Sequence, residues 1–123
     1  MTAAEIGKRL VELCQANENL QAVSELYADD VVSIEAGPDG EEMPARMEGI
    51  DAVRGKHDWW YANNEVHESK AVGPFCGHRD DQFGVLFEID VTPKGGERAT
   101  FTEVALYTVA DGKIAQEEFL MLA

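Results

Sequence analysis

A ten-residue segment in which helical periodicity changes to strand periodicity constrains the fold of this chain most strongly. An apolar stripe of helical spacing ends at Leu26–Tyr27, and the acidic pair Asp29–Asp30 then stops the helix. The β-branched pair Val31–Val32 begins a strand, in which alternation places Ser33 and Glu35 on one face. The segment therefore predicts a helix followed directly by a strand that ends in a carboxylate.

The rest of the chain supplies two more helices and four more strands. Apolar residues at helical spacing predict helices over residues 2–16, 19–28 and 49–63, and Thr2 and Glu5 form a capping-box pattern at the first. Alternation and turn residues predict later strands over residues 66–75, 82–92, 97–109 and 113–122, with Gly37–Pro44 as a loop. At 123 residues the chain suits one domain, residues 1–123, of α+β class in the order α-α-β-α-β-β-β-β.

The element order and three local segments resemble a known superfamily. The segments are Leu26–Glu35, the glycine-rich turn Gly37–Gly40, and Met47–Val53, which changes from strand-like to helical at Gly49. They resemble the SnoaL-like branch of the nuclear transport factor two-like superfamily, the ketosteroid isomerase-like fold. The resemblance implies a cone-shaped domain in which three N-terminal helices and a strongly curved, mostly antiparallel sheet enclose a pocket. Superfamily members include isomerases, dehydratases, cyclases, epoxide hydrolases and noncatalytic domains, so the resemblance names no single reaction.

Two carboxylates are the first candidate catalytic residues. In ketosteroid isomerases of the superfamily, the general base is an aspartate five residues after the second acid of a similar Ala-Asp-Asp stretch, and Glu35 has that spacing from Asp30. Those isomerases also hold the developing oxyanion with a tyrosine of the first helix and a protonated carboxylic acid of a later strand. Glu103 is the nearest match to that acid, on a strand face with apolar neighbours that would raise its pKa. Val11 occupies the tyrosine position, so steroid isomerase activity is not expected.

Histidines offer a second kind of proton transfer. Superfamily dehydratases use histidine with aspartate, and His57 and His67 are the candidate pair here, with His57 on the apolar stripe of the third helix. A lone histidine on such a stripe is more often a structural residue of the core or its rim.

Aromatic side chains are the candidate substrate-binding residues. The cluster Trp59–Trp60–Tyr61 lies in the third helix, where successive residues diverge by about 100°, so the three cannot all face the core. Tyr27, at the end of the second helix, and Tyr107, on the strand face of Glu103, complete the set. These rings suit a cyclic apolar ligand, and core packing is the alternative use.

Composition excludes several partners. Ten Lys and Arg against 24 Asp and Glu give a net charge of -14, which repels nucleic acid and anionic membrane surfaces. Residues 1–15 carry charges among their apolar positions, so no signal-peptide core is expected and the protein should be cytoplasmic. Cys14 and Cys76 are expected to be free thiols, and neither they nor the histidines have metal-ligand spacing, so no metal or cofactor is expected.

Two functional hypotheses remain open from the sequence. The first is a cofactor-independent isomerase, cyclase or dehydratase that transfers a proton on a small apolar or cyclic molecule, with Glu35 as base and Glu103 or Tyr27 as acid. The second is a noncatalytic domain that binds a small ligand or a protein. Strands 82–92 and 97–109 carry apolar residues on both faces, which predicts a homodimer through the outer sheet face.

Overall fold

The computed structural model describes residues 1–40 and 43–122. Glu41 and Glu42 of the predicted loop lie outside the described residues, as does Ala123. The helices are α1 (Ala3–Gln15), α2 (Asn19–Leu26) and α3 (Ile50–Asn63), which confirms the three predicted segments. The capping box at α1 is present, because the Thr2 hydroxyl accepts from the Glu5 N–H at 3.2 Å and the Glu5 carboxylate accepts from the Thr2 N–H at 2.9 Å.

Six strands form one curved, mostly antiparallel sheet in the order β2-β1-β6-β5-β4-β3. They are β1 (Tyr27–Ile34), β2 (Arg46–Glu48), β3 (Asn64–Phe75), β4 (Gln82–Pro93), β5 (Ala99–Ala110) and β6 (Lys113–Met121). The last four strands form an antiparallel meander, as predicted, and β1 lies parallel to β6.

One boundary and one strand differ from the sequence prediction. Asp29 and Asp30 were expected to separate helix from strand, but β1 already begins at Tyr27 and includes both. They fit an extended strand because the strand is irregular there: its pairing with β6 shifts register between Tyr27 and Val32. The short strand β2 was not counted in the predicted element order, although Met47–Glu48 was interpreted as strand-like, because three residues are too few to establish alternation.

The main core lies between the helices and the inner face of the sheet. The inner face alternates as predicted in β4, where Phe83, Val85 and Phe87 are buried, and its register places Ala105 and Tyr107 of β5 beside them. Apolar residues of α1 and α2 cover one end of this face, while α3 stands over β1 and β3. None of the helices in the described parts of the chain is long and apolar enough to cross a membrane.

Candidate functional site

A cavity of about 930 Å³ lies between the inner sheet face and the helices. Its volume is in the range of sites for drug-sized molecules. The structure brings all eight candidate site residues to its lining: Tyr27, Glu35, His57, Trp59, Trp60, Tyr61, Glu103 and Tyr107. The candidates come from α3, from β1 and the residue that follows it, and from β5, so the fold gathers residues that are far apart in the chain.

The deepest polar feature of the cavity is a buried pair of opposite charges, Lys56 of α3 and Glu117 of β6. Lys56 Nζ lies 3.0 Å from Glu117 Oε2, and the Glu117 side chain is 1% exposed. Ser33 Oγ donates to the same carboxylate oxygen at 2.6 Å, and the Tyr27 hydroxyl donates to the other oxygen. Every oxygen of the buried carboxylate therefore has a donor, which is what allows it to remain charged away from water.

The pKa values of this pair follow from their mutual attraction. Burial alone would raise the pKa of Glu117, but the Lys56 ammonium and the hydrogen bonds from Ser33 and Tyr27 outweigh it and lower that pKa. Burial likewise disfavours the charged form of Lys56, yet Glu117 and Glu35 together raise the Lys56 pKa. Burial and the adjacent Glu117 charge raise the pKa of the Tyr27 hydroxyl well above its usual value. Lys56 and Glu117 are thus a fixed cation and a fixed anion.

Glu35 extends this charged group toward the open part of the cavity. It follows the last residue of β1, and its Oε1 lies 2.8 Å from Lys56 Nζ. Its side chain is 37% exposed, whereas that of Lys56 is 10% exposed. Strand alternation places Glu35 on the face of Val31 and Ser33, and both of those residues are fully buried.

Glu103 lies in a different environment. Burial, reinforced by the negative charge of Glu35, raises the pKa of Glu103 to about 7. This confirms the expected upward shift. Among the described residues, its carboxyl group has no hydrogen-bond or ion-pair partner, and it faces the cavity. One pocket therefore holds an ion-paired carboxylate and an unpaired carboxyl group whose pKa is raised toward neutrality.

Both candidate histidines line the cavity. Burial lowers the pKa of His57, which favours the neutral imidazole. His67 lies at the exposed edge, where its Nε2 is 2.7 Å from Thr92 Oγ1. The ring nitrogen of His67 can donate or accept in that contact, depending on the tautomer.

Aromatic rings form part of the remaining wall, together with aliphatic and polar side chains. Trp60 meets Phe101 edge-on at a centroid distance of 6.1 Å, and Tyr107 stacks on Phe83 at 4.9 Å. Trp59 and Tyr61 are 38% and 48% exposed, so they border the mouth. As predicted, the three successive aromatic residues of α3 do not all face the core.

Sequence reasoning missed Lys56, Glu117 and Ser33 as members of the site. A signal existed for Lys56, which lies three residues after Val53 and four before Trp60, on the apolar stripe of α3. Glu117 had no such signal, because the register between β5 and β6 shifts after Thr108 and alternation from Ile114 fails there.

The described residues contain no group of three or more His, Cys, Asp or Glu side chains arranged to hold a metal ion. Cys14 and Cys76 are both free thiols, Cys14 buried and Cys76 exposed.

Comparison with known proteins identifies the family. Residues 1–121 match the family of the SnoaL-like domain. A Mesorhizobium loti protein described as a candidate SnoaL-like polyketide cyclase is 44% identical, with a TM-score of 0.88 over 97% of this chain and 98% of that one. No curated protein matches the sequence significantly.

Two more distant structures share the fold. An NTF2-like protein of unknown function from Burkholderia pseudomallei is 18% identical, with a TM-score of 0.76 over 99% of this chain and 92% of that one. A Mycobacterium tuberculosis protein in complex with estradiol-17β-hemisuccinate is 21% identical, with a TM-score of 0.70 over 97% of this chain and 93% of that one.

Proposed function

The chain belongs to the SnoaL-like family, and from this premise we propose that it binds a small, largely apolar, carbonyl-bearing molecule and transfers a proton on it without a cofactor. One observation carries the proposal: two carboxyl groups in contrasting environments face one aromatic cavity. Glu35 is ion-paired with Lys56, whereas Glu103 is unpaired among the described residues and has its pKa raised to about 7. Pairs of titratable groups with contrasting environments are typical of acid–base catalysis.

The roles follow from these environments. Glu35 is the base, since its exposed carboxylate can reach a carbon acid in the cavity. Glu103 is the acid, because its protonated form donates a hydrogen bond to the carbonyl oxygen of the bound molecule. The Tyr27 hydroxyl already donates its hydrogen bond to Glu117, which favours Glu103 over Tyr27 as the acid.

The size and walls of the cavity support a cyclic ligand. A volume of about 930 Å³ accommodates several fused rings. Trp59, Trp60, Tyr61 and Tyr107 supply flat apolar surfaces for them. The M. tuberculosis structure holds a steroid ester within the same fold.

Deuterium exchange tests the reaction without a known substrate. A panel of cyclic ketones is incubated with the protein in D₂O, and incorporation next to the carbonyl is followed by NMR. The wild-type protein should accelerate exchange for at least one ketone, and Glu35→Gln should lower that rate by about 100-fold or more because the base is lost. The matched control is Glu88→Gln, on the opposite sheet face, which should retain the rate. Equal rates in Glu35→Gln and wild type would contradict the proposal.

His57 supports a second candidate reaction that also depends on proton transfer. A neutral imidazole in the cavity can accept a proton, as a dehydratase requires. Elimination of water from a β-hydroxyketone, lost in His57→Gln and retained in Glu35→Gln, would identify that reaction.

A noncatalytic domain that binds a small ligand or a protein is the candidate from a different class. The observation in its favour is that Tyr27, Ser33 and Lys56 already satisfy one another through Glu117. Native mass spectrometry of protein purified without refolding would then detect a retained molecule, while no ketone of the panel exchanges deuterium.

We propose further that residues 1–123 act as one SnoaL-like domain, that the protein is a homodimer, and that it works in the cytoplasm. The outer sheet face supports the dimer, because an apolar row crosses it through Leu86 and Val104. Free Cys14 and Cys76 fit a reducing compartment. The net charge of -14 makes nucleic acid and anionic membranes unfavourable partners.

A further inference from the structure

Lys56 is surrounded by three oxygen atoms, one for each N–H of its ammonium group. Nζ lies 2.6 Å from Ser33 Oγ, 3.0 Å from Glu117 Oε2 and 2.8 Å from Glu35 Oε1. An ammonium group has three donors and no acceptor. Lys56 therefore has no donor to offer a ligand while Glu35 stays in place.

The three oxygen atoms are not held equally. Ser33 and Glu117 are fully buried, and the Ser33 hydroxyl donates a hydrogen bond to the Glu117 carboxylate. Glu35 is more than a third exposed, and Lys56 is the one side chain among the described residues that pairs with it. Of the three neighbours of Lys56, Glu35 is the one that can leave.

We infer that Lys56 is the oxyanion-binding residue of this cavity, and that it exchanges Glu35 for the negative oxygen of the reacting molecule when Glu35 takes up the proton. The inference rests on the proposed function and specifies its ligand. The ligand is a molecule with a ketone or phenol oxygen that becomes negative while it is bound.

The step balances in atoms and charge. The C–H bond beside the carbonyl breaks, and its proton forms an O–H bond on Glu35. The electron pair of the C–H bond forms a C=C bond, and the carbonyl π pair moves to the oxygen, which becomes an enolate. Neutral Glu35 attracts the ammonium less than the carboxylate did, so that N–H turns to the enolate oxygen. Return of the proton to carbon restores the carbonyl group and the Lys56–Glu35 ion pair.

The other polar groups of the lining are less suited to this task. The described lining contains no lysine or arginine besides Lys56. The Tyr27 hydroxyl is committed to Glu117, and the lowered pKa of His57 leaves that imidazole neutral. Glu103 donates one neutral hydrogen bond, which complements a cation at the same oxygen. Glu117 is a positioning residue, because it holds the ammonium at the cavity wall without contacting the ligand.

Binding of 2-naphthol tests the inference without turnover. This two-ring phenol is small enough for the cavity, and its absorption spectrum distinguishes the neutral form from the naphtholate in the ground state. Wild-type protein should bind it partly ionised at a pH where free naphthol is neutral. Glu35→Gln should bind it about tenfold more tightly and with a larger ionised fraction, because a neutral glutamine competes weakly for the Lys56 N–H.

Removal of a negative charge near the ligand would itself favour naphtholate, so the control removes the lysine. The background variant is Lys56→Met with Glu117→Gln, which leaves no unpaired charge in the buried site. In that background Glu35→Gln should change the affinity by less than about twofold, since the gain is transmitted through Lys56. Circular dichroism checks that each variant is folded. If the background variant does not fold, bound naphthol that stays neutral in both wild type and Glu35→Gln still overturns the inference.

Three results would overturn the inference: an equal gain in both backgrounds, bound naphthol that stays neutral, and no binding to wild type or Glu35→Gln. These outcomes are distinct from failure of the proposed function. Loss of deuterium exchange in Glu35→Gln without tighter naphthol binding would overturn the role of Lys56 alone. Tighter naphthol binding without any ketone exchange would instead remove the role of Glu35 as base.

Discussion

At the scale of single residues, the cavity holds carboxyl groups whose pKa values differ because their surroundings differ. The charged form of Glu117 is stabilised by a buried ammonium and by hydrogen bonds from two hydroxyl groups, so its pKa is lowered. Glu103 shares the same cavity without such partners, and its pKa is raised. The pKa values of chemically similar side chains thus shift in opposite directions because their neighbours differ.

The raised pKa of Glu103 predicts a specific pH dependence of stability. A carboxyl group with a folded-state pKa of about 7, above its ordinary value of 4.5, binds protons more tightly in the folded protein. Its contribution is therefore fully present below the unfolded pKa and is lost as pH rises through about 7. Glu103→Gln should remove this component, so the melting temperature of the variant relative to wild type should increase between pH 5 and 8. Thermal melts across that range measure it, with exposed Glu88→Gln as the control. A constant difference between Glu103→Gln and wild type would contradict the assignment.

At the scale of helices and strands, sequence periodicity predicted most of the fold. The three helices and the four-strand meander follow from helical spacing and from alternation, as in the unbroken run from Phe83 to Val91 of β4. The exceptions, Asp29–Asp30 within β1 and the missed strand β2, depend on pairing with distant strands rather than on local pattern.

The candidate site was also predictable only in part. Glu35 and Glu103 follow from strand alternation and resemblance, and both reach the cavity. Glu117 was not predictable, because an irregular register between β5 and β6 turns it inward. Lys56 interrupts the apolar stripe of α3, and the reason becomes evident only from its buried partner Glu117.

Helix α1 packs on the sheet at a distance that only glycine allows at residue 7. A Cβ atom at Gly7 would lie 2.7 Å from Pro74 Cβ and 3.0 Å from Phe83 Cδ2. Gly7→Ala should therefore destabilise the protein by about 1–3 kcal/mol, although alanine favours a helix by about 1 kcal/mol. Urea denaturation measures the change. Gly55→Ala in α3 is the matched control, since nothing lies within 4 Å of its added Cβ, and it should stabilise by about 0.5–1 kcal/mol. Equal effects at the two glycines would refute the packing argument.

At the scale of the whole molecule, the apolar outer sheet face would favour association of two copies of the chain, whereas the net charge would oppose it. Strand pairing aligns Val72, Leu86, Val104 and Leu120 in one row across four strands. Val104 and Leu120 are 39% and 49% exposed, so the row is apolar surface that the proposed homodimer would bury. A net charge of -14 on each copy opposes their approach.

The proposed homodimer should therefore respond to one charge placed in the row and to salt. Val104→Glu puts a carboxylate between Leu86 and Leu120, where a dimer would bury it without a partner, so the variant should sediment as a monomer of 13.5 kDa. Thr100→Glu adds the same charge to the same face of β5, outside the row, and should stay dimeric. Added sodium chloride should tighten the wild-type dimer, because screening reduces repulsion between the acidic copies more than it affects apolar contact. Sedimentation equilibrium at micromolar concentration measures the oligomeric state. A monomeric wild type, or monomers from both variants, would contradict a dimer formed through this row.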